Sequence, residues 1–211
     1  MGIFLDSASV SEARRAMALG WVGGITTNPT LMARAEGDPA TIIRRLGEVS
    51  PGPVFYQVTG SSLAAREDEG RRFHALDPDK VVLKIPASTE NMALVVRLSP
   101  EVPCALTAVY SGAQAWVGCE AGARYVIPYV SRATRLQGDG LGLVTEIAQV
   151  LDACESEAEM LAASIKTPEE AIATLLAGAR HLTLPLELIL RLADHPLSEA
   201  AVAEFNRAGR D

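Results

Sequence analysis

Lys84 is the residue of this sequence whose chemistry is easiest to infer. It lies in VVLKIP, residues 81–86, where apolar and β-branched residues predict a buried strand. An unpaired ammonium group is costly to bury, and a lysine in such a position loses its proton more readily than usual. Because a neutral amine is a nucleophile that forms a Schiff base with a carbonyl compound, we predict that Lys84 is catalytic.

Eight short β-rich segments recur along the chain, with helical patterns between them. We place the strands at residues 3–6, 24–27, 54–58, 81–85, 104–108, 125–129, 161–164 and 181–184. Capping pairs such as Ser9 with Glu12 and Thr167 with Glu170 mark helix starts. Eight β-then-α units predict an α/β fold, a (β/α)8 or TIM barrel with an extra C-terminal helix. An open doubly wound sheet is the alternative, although the first βα turn lacks GxGxxG.

The chain is predicted to form one barrel domain with a helical tail. We assign residues 1–195 to a single catalytic (β/α)8 barrel and residues 196–211 to the tail. The apolar residues Ala200, Val202 and Phe205 require a partner surface for this tail. That surface is either the barrel itself, in which case the tail is part of the same domain, or a neighbouring subunit.

Composition excludes several classes of function. The net charge of −7 and the lack of a basic run argue against a nucleic-acid partner. No apolar stretch is long enough to predict a membrane span, and the N-terminus does not resemble a secretion signal. Cys104, Cys119 and Cys154 are an odd count without paired spacing, which is typical of reduced thiols. We therefore expect a cytoplasmic protein without a membrane partner.

A polar residue closes or directly follows nearly every predicted strand. They are Asp6, Asn28, Gln57, Lys84, Thr107, Tyr129 and Ser164. In a (β/α)8 barrel the C-terminal ends of the strands meet at one mouth, where the active sites of this fold lie. Taken singly, most of these residues also have a structural explanation, such as helix capping by Asp6 or a turn at Asn28. Their convergence favours a catalytic site.

Other charged residues add to this prediction. Arg132 approaches the same mouth three residues after Tyr129, and with Ser164 it forms a candidate phosphate clamp. Lys166 precedes a helix N-terminus, where an anion is favoured. Lys80 precedes the fourth strand at the opposite end, and we interpret it as a solvated lysine. All three histidines fall away from the predicted mouth, so we expect no histidine base, no metal ion and no cofactor.

Six segments together resemble the transaldolase family, and most of all its small fructose-6-phosphate aldolase branch. They are FLDSA, TTNPT, VVLKIP, LTAVYSGAQA, YVIPYVSR and MLAASIKTPEEA, in the order and spacing of the family. The resemblance as a whole runs from residue 3 to about residue 205. The resemblance implies a class I aldolase in which Lys84 forms an imine with a ketose or hydroxyketone donor. It further implies that Asp6 and Asn28 bind donor hydroxyls, with Asp6 sharing in proton transfer. Thr107 would orient the donor, while Arg132 and Ser164 would hold the phosphate of glyceraldehyde 3-phosphate.

Gln57 and Tyr129 distinguish the two branches of this family. Transaldolases carry a glutamate and a phenylalanine at these positions, whereas the aldolase branch uses glutamine and tyrosine to hold a water, with the phenol as proton donor. The resemblance therefore implies reversible cleavage of fructose 6-phosphate. The alternatives are a transaldolase that transfers a dihydroxyacetone unit and a non-catalytic barrel that binds sugar phosphates. The branch also implies a homo-oligomer, a pentamer or decamer.

Overall fold

The computed structural model describes residues 2–209 as a closed barrel of eight parallel strands. The strands follow one another around the barrel in sequence order, and β8 pairs with β1. Met1, which begins the predicted barrel domain, and Arg210 and Asp211, which end the predicted tail, lie outside the described residues. The closed parallel sheet confirms the (β/α)8 prediction and rules out the open doubly wound sheet.

Each strand of the barrel is followed by at least one helix. The strands are β1 Gly2–Asp6, β2 Val22–Thr26, β3 Val54–Gln57, β4 Val81–Pro86, β5 Cys104–Val109, β6 Tyr125–Pro128, β7 Glu159–Ala162 and β8 His181–Leu184. The helices are α1 Val10–Met17, α2 Pro29–Arg34, α3 Pro39–Val49, α4 Leu63–His74, α5 Thr89–Leu98, α6 Gly112–Glu120, α7 Val130–Gln137, α8 Gly140–Ala153, α9 Pro168–Leu176, α10 Leu186–Arg191 and α11 Pro196–Ala208. The additional helices α2, α7 and α10 directly follow strand ends, and α2 and α7 contribute residues to the mouth of the barrel.

The seventh strand shows the clearest difference from the sequence prediction. It was predicted at residues 161–164, but β7 begins at Glu159 and ends at Ala162. Beyond its end, Ala163 makes only an isolated bridge with Tyr129, and Ser164 has a φ of 60°. Residues other than glycine seldom adopt this left-handed backbone conformation. Ser164 thus marks the point where the chain leaves the sheet and turns towards the mouth.

Side chains inside the barrel form two layers of different polarity. The lower layer contains aromatic rings, with centroids 5.8 Å apart for Phe4 and Phe55 and 5.1 Å apart for Phe55 and Tyr125. Two residues further along these strands, side chains point inwards again because successive residues alternate between the faces of a strand. Asp6 thus lies above Phe4, and Gln57 lies above Phe55. The packed rings close the barrel below the polar layer.

The outer surface of the sheet packs against the helices in a continuous apolar core, but α11 does not join it. No residue of α11 is buried, and Leu197, Val202 and Phe205 are exposed.

At the opposite end from the mouth, Lys80 donates hydrogen bonds to the main-chain oxygens of Gly47 and Ser50 at 2.6 and 2.9 Å. Its interpretation as a solvated lysine was therefore wrong, because it binds the C-terminal carbonyls of α3. Within residues 2–209, no helix combines the length and apolar character needed to cross a membrane.

Candidate active site

Seven of the eight predicted site residues line one cavity at the mouth of the barrel. The cavity has a volume of about 460 Å³ and includes Asp6, Asn28, Gln57, Lys84, Tyr129, Arg132 and Ser164 in its lining. The eighth residue, Thr107, is fully buried beneath the lining and hydrogen-bonds to Tyr129. Residues from six different strand ends therefore converge on a volume large enough for a small sugar phosphate.

Lys84 lies at the base of this cavity and is only 3% exposed. Its Nζ donates a hydrogen bond of 2.8 Å to the main-chain oxygen of Thr27. Burial disfavours the charged ammonium and lowers the pKa of Lys84 to about 8, although the nearby carboxylate of Asp6 opposes this change. The lowered pKa of Lys84 increases the fraction of the amine that is neutral at physiological pH, and a neutral amine can attack a carbonyl carbon.

Gln57 lies beside Lys84 on the neighbouring strand. The two residues are paired in the β3–β4 register, so their side chains point to the same side of the sheet. The Oε1 atom of Gln57 is buried and has no hydrogen-bond partner among residues 2–209. Because buried polar atoms in folded proteins nearly always have a partner, this amide is available to a substrate hydroxyl or a bound water.

Tyr129 directs its hydroxyl into the same polar layer. Its Oη lies 3.1 Å from the Oγ1 of Thr107, and the guanidinium of Arg132 lies 4.7 Å from the centroid of its ring. Burial raises the pKa of Tyr129, while the hydrogen bond to Thr107 and the charge of Arg132 partly oppose this effect. The phenol therefore keeps its proton at neutral pH and can donate it.

Asp6 is held by Thr26, which in turn is hydrogen-bonded to Thr183, and the sequence analysis identified neither threonine. Thr26 Oγ1 donates to Asp6 Oδ1 at 2.8 Å and lies 2.6 Å from Thr183 Oγ1. Both threonines are buried. Alternation along each strand places them on the interior face, two residues after Gly24 on β2 and His181 on β8, but it does not indicate that the two threonines meet. Thr26, positioned by Thr183, fixes one carboxylate oxygen of Asp6 and leaves the other available to the cavity.

Asn28 combines a structural role with a place in the cavity lining. It caps α2, and its Oδ1 accepts a hydrogen bond of 3.0 Å from the amide of Leu31. The capping bond uses Oδ1 and fixes the orientation of the side chain. The Nδ2 group is the part of Asn28 that can donate to a ligand. The structural explanation and the functional one thus apply to different atoms of the same residue.

Two hydrogen-bonded clusters hold the loops that follow β3 and β4. Glu69 accepts hydrogen bonds from the amides of Thr59 and Gly60 at 2.9 and 2.7 Å, and from the hydroxyl of Tyr56 at 2.7 Å. Arg66 donates to the oxygen of Gly60 and also to Asn91 on α5. These contacts connect the loop after Gln57 to the element after Lys84, and so stabilise their relative positions.

Sequence comparison supports the assignment of this geometry to a known family. Residues 3–210 match the family described as transaldolase/fructose-6-phosphate aldolase. Proteins named probable transaldolase from Syntrophomonas wolfei subsp. wolfei and from Desulfosudis oleivorans are each 34% identical over 206 residues, which cover 97% of this chain and 96% of theirs. A crystal structure of inosine 5′-monophosphate dehydrogenase from Legionella pneumophila superposes with a TM-score of 0.63 at 14% identity, covering 89% of this chain and 58% of that one. This last likeness shows the barrel fold alone. The family match and the curated relatives show that the chain belongs to the transaldolase/fructose-6-phosphate aldolase family, whose enzymes are of aldolase and transaldolase type.

Proposed function

We propose that this protein is a class I aldolase that reversibly cleaves fructose 6-phosphate to dihydroxyacetone and glyceraldehyde 3-phosphate. The observation that carries the proposal is a buried Lys84, with its pKa lowered to about 8, in one cavity with Gln57 and Tyr129. A neutral amine, a free amide and a protonated phenol suit imine formation followed by proton transfer to an enamine. With these groups, the proposed reaction does not require a histidine base.

The proposed reaction begins at Lys84. Its neutral amine adds to the ketose carbonyl at C2, and loss of water gives a protonated imine. A base then removes the proton of the C4 hydroxyl and the C3–C4 bond breaks, with its electron pair passing to the imine to form an enamine. The aldehyde leaves, C3 of the enamine takes up a proton, and water hydrolyses the imine to release dihydroxyacetone. Covalent attachment thus divides one difficult step into easier ones.

The remaining residues are assigned roles by their positions around Lys84. Tyr129, acting with Gln57 through a bound water, is the proposed proton donor and acceptor, since burial keeps the phenol protonated. Asp6 and Asn28 would bind the donor hydroxyls, and Asp6 would share in proton transfer.

On the acceptor side, Arg132 and Ser164 would bind the phosphate, for which a guanidinium fork is well suited. Thr107 would orient the phenol through their hydrogen bond. These roles account for all eight residues that the sequence analysis selected.

Transaldolase activity is the second candidate. It is favoured by the name probable transaldolase that the relatives from Syntrophomonas wolfei and Desulfosudis oleivorans carry. The two reactions share every step up to the enamine and differ in its fate, which is protonation in an aldolase and attack on a second aldehyde in a transaldolase. Gln57 and Tyr129 favour protonation, because the transaldolase pattern carries a glutamate and a phenylalanine there.

Incubation with fructose 6-phosphate alone separates these candidates. Steady release of dihydroxyacetone would support the aldolase, whereas turnover that strictly requires erythrose 4-phosphate would establish the transaldolase instead. Borohydride reduction in the presence of dihydroxyacetone should attach the donor to Lys84, as measured by peptide mass spectrometry. A Lys84→Met variant is the matched control. An unmodified Lys84, together with measurable sugar phosphate binding, would indicate a non-catalytic binding barrel.

We also propose that the protein forms a homo-oligomer in the cytoplasm. The exposed Leu197, Val202 and Phe205 of α11 support assembly, as does an apolar cavity of about 310 Å³ that includes Trp21 and Ile172 in its lining. The three free cysteines are consistent with a reducing compartment. Light scattering coupled to size-exclusion chromatography should give a mass of five or ten subunits, and Phe205→Glu should lower it. A monomeric wild-type protein would contradict the proposed assembly.

A further inference from the structure

A second cavity adjoins the outer side of the Lys84 cavity. It has a volume of about 410 Å³ and is lined by Ser131, Arg132, Arg135, Ser164 and Lys166. Arg132, Ser164 and Lys166 line both cavities, whereas Arg135 lines only the outer one and Lys84 only the inner one. The outer cavity therefore begins at the proposed phosphate-binding residues Arg132 and Ser164, and it extends away from Lys84.

Three cations surround this outer cavity without a carboxylate partner. Across residues 2–209, neither Arg132, Arg135 nor Lys166 forms a salt bridge with an aspartate or glutamate. The chain as a whole carries a net charge of −7. Three unneutralised cations around one cavity, on an otherwise acidic protein, produce a local positive potential that attracts an anion.

The geometry of α7 gives its two arginines different positions. Arg132 is held over the ring of Tyr129, at 4.7 Å from its centroid, and thus lies beside the inner cavity. Arg135 lies three residues further along the helix, on the same side and nearly one turn further from the strand end. Along α7, Arg132 therefore lies at the inner cavity and Arg135 lies at the outer cavity, further from Lys84.

Three main-chain amides close to the outer cavity are already hydrogen-bonded within the protein. The first two amides of α7, from Val130 and Ser131, donate to the oxygens of Ala163 and Ser164 at 2.9 and 2.8 Å. The amide of Lys166 donates to Glu170 Oε2 at 2.7 Å. These amides do not contribute to binding an anion in the outer cavity, so the charged side chains around it matter more. Among them, Arg135 lines the outer cavity and not the inner one.

We propose that the outer cavity is a second anion subsite, in which Arg135 and Lys166 bind the terminal phosphate of acceptor aldoses with four or more carbons. Arg132 and Ser164 would bind the phosphate of a three-carbon acceptor. Each added carbon moves the terminal phosphate further from the aldehyde that reacts at Lys84, so a longer acceptor reaches past the inner anchors. The identity of the ligand rests on the proposed aldol chemistry, but the anion subsite itself does not.

Acceptor kinetics in the synthetic direction test this assignment. We expect Arg135→Gln to lower kcat/KM for erythrose 4-phosphate about 10-fold, the effect of about 1.4 kcal/mol of lost binding, and for glyceraldehyde 3-phosphate less than about 2-fold. The control is Arg15→Gln, which removes an exposed arginine from the last turn of α1 and should change neither value. An equal loss for both acceptors would place Arg135 in the inner phosphate site and overturn the proposal, as would no loss for either.

Calorimetric binding of inorganic anions provides a test that does not depend on catalysis. Pyrophosphate has two linked phosphate groups and should bind the wild-type protein about 10-fold more tightly than phosphate at low ionic strength. Arg135→Gln should remove most of this difference, and Arg15→Gln should retain it. If fructose 6-phosphate is not cleaved but the pyrophosphate preference is present, the proposed function fails and the subsite stands. Equal affinity of the wild-type protein for both anions would overturn the subsite.

Discussion

Replacing Lys84 with methionine should stabilise the fold at neutral pH while it abolishes imine formation. Burial lowers the pKa of Lys84 from its usual 10.5 to about 8 in the folded protein. A group that binds its proton more weakly in the folded state than in the unfolded state lowers stability wherever both states carry the proton. From these two pKa values the cost is about 3 kcal/mol at pH 7. Methionine fills a similar volume without a charge.

The sign of the pH dependence follows from the same linkage. As the pH rises from 8 towards 10.5, the folded protein loses the proton of Lys84 before the unfolded chain does, and the cost decreases. It falls from about 3 kcal/mol at pH 7 to about 1 kcal/mol at pH 9.5. Wild-type stability should therefore rise by about 2 kcal/mol relative to Lys84→Met over this interval. The hydrogen bond from Lys84 to the oxygen of Thr27 is also lost in the variant. This loss shifts the difference in unfolding free energy between the two proteins in the same direction at both pH values.

Urea unfolding followed by circular dichroism measures this quantity. Both proteins are unfolded at pH 7 and at pH 9.5, at one protein concentration because assembly shifts apparent stability. Every other titrating group occurs in both proteins, so its contribution largely cancels in the difference between them. A stability difference that is the same at both pH values would refute the reasoning, because it would mean that Lys84 keeps its ordinary pKa in the folded protein.

Three further predictions concern other parts of the barrel. Gln57→Glu should raise acceptor-dependent transfer relative to free cleavage in a product assay; an unchanged ratio would mean that Gln57 does not select the branch. Burial lowers the pKa of His181 in the folded protein, so wild-type stability should fall as the pH drops below 6.5, and less so in His181→Gln; parallel urea-midpoint curves for the two proteins would contradict this. Glu69→Gln should cost about 2 kcal/mol in urea unfolding by weakening the bonds to the amides of Thr59 and Gly60, and it should increase hydrogen exchange at those amides; unchanged exchange would exclude this role.

The fold was predictable because its signals are local. Alternating and apolar segments, capping pairs and the repeated β-then-α order all depend on residues close together in the sequence. The boundary of β7 was not predictable in the same way. From the sequence, Glu159 is predicted to be a polar residue outside a strand. It belongs to β7 because it pairs with Tyr125 of β6 and its amide donates a hydrogen bond of 2.9 Å to the oxygen of Arg124.

The candidate site was partly predictable for a related reason. Lys84 could be recognised from its own strand, because a charged residue in an apolar segment is anomalous without any knowledge of its neighbours. Thr26 and Thr183 could not be recognised in this way. They are separated by 157 positions in the sequence, and they meet beside Asp6 only because β8 closes the barrel against β1.

The sequence by itself therefore determined the eight-unit barrel, the family and the choice of Lys84 as the proposed nucleophile, since each of these is carried by residue type and spacing. The tertiary structure decided how deeply Lys84 is buried and which atoms of Gln57 and Asn28 remain available to a ligand. It also decided that Arg135 lines a second cavity beside the first. These properties depend on distances between segments that are remote in the chain. Packing of the closed barrel sets those distances, and no local pattern encodes them.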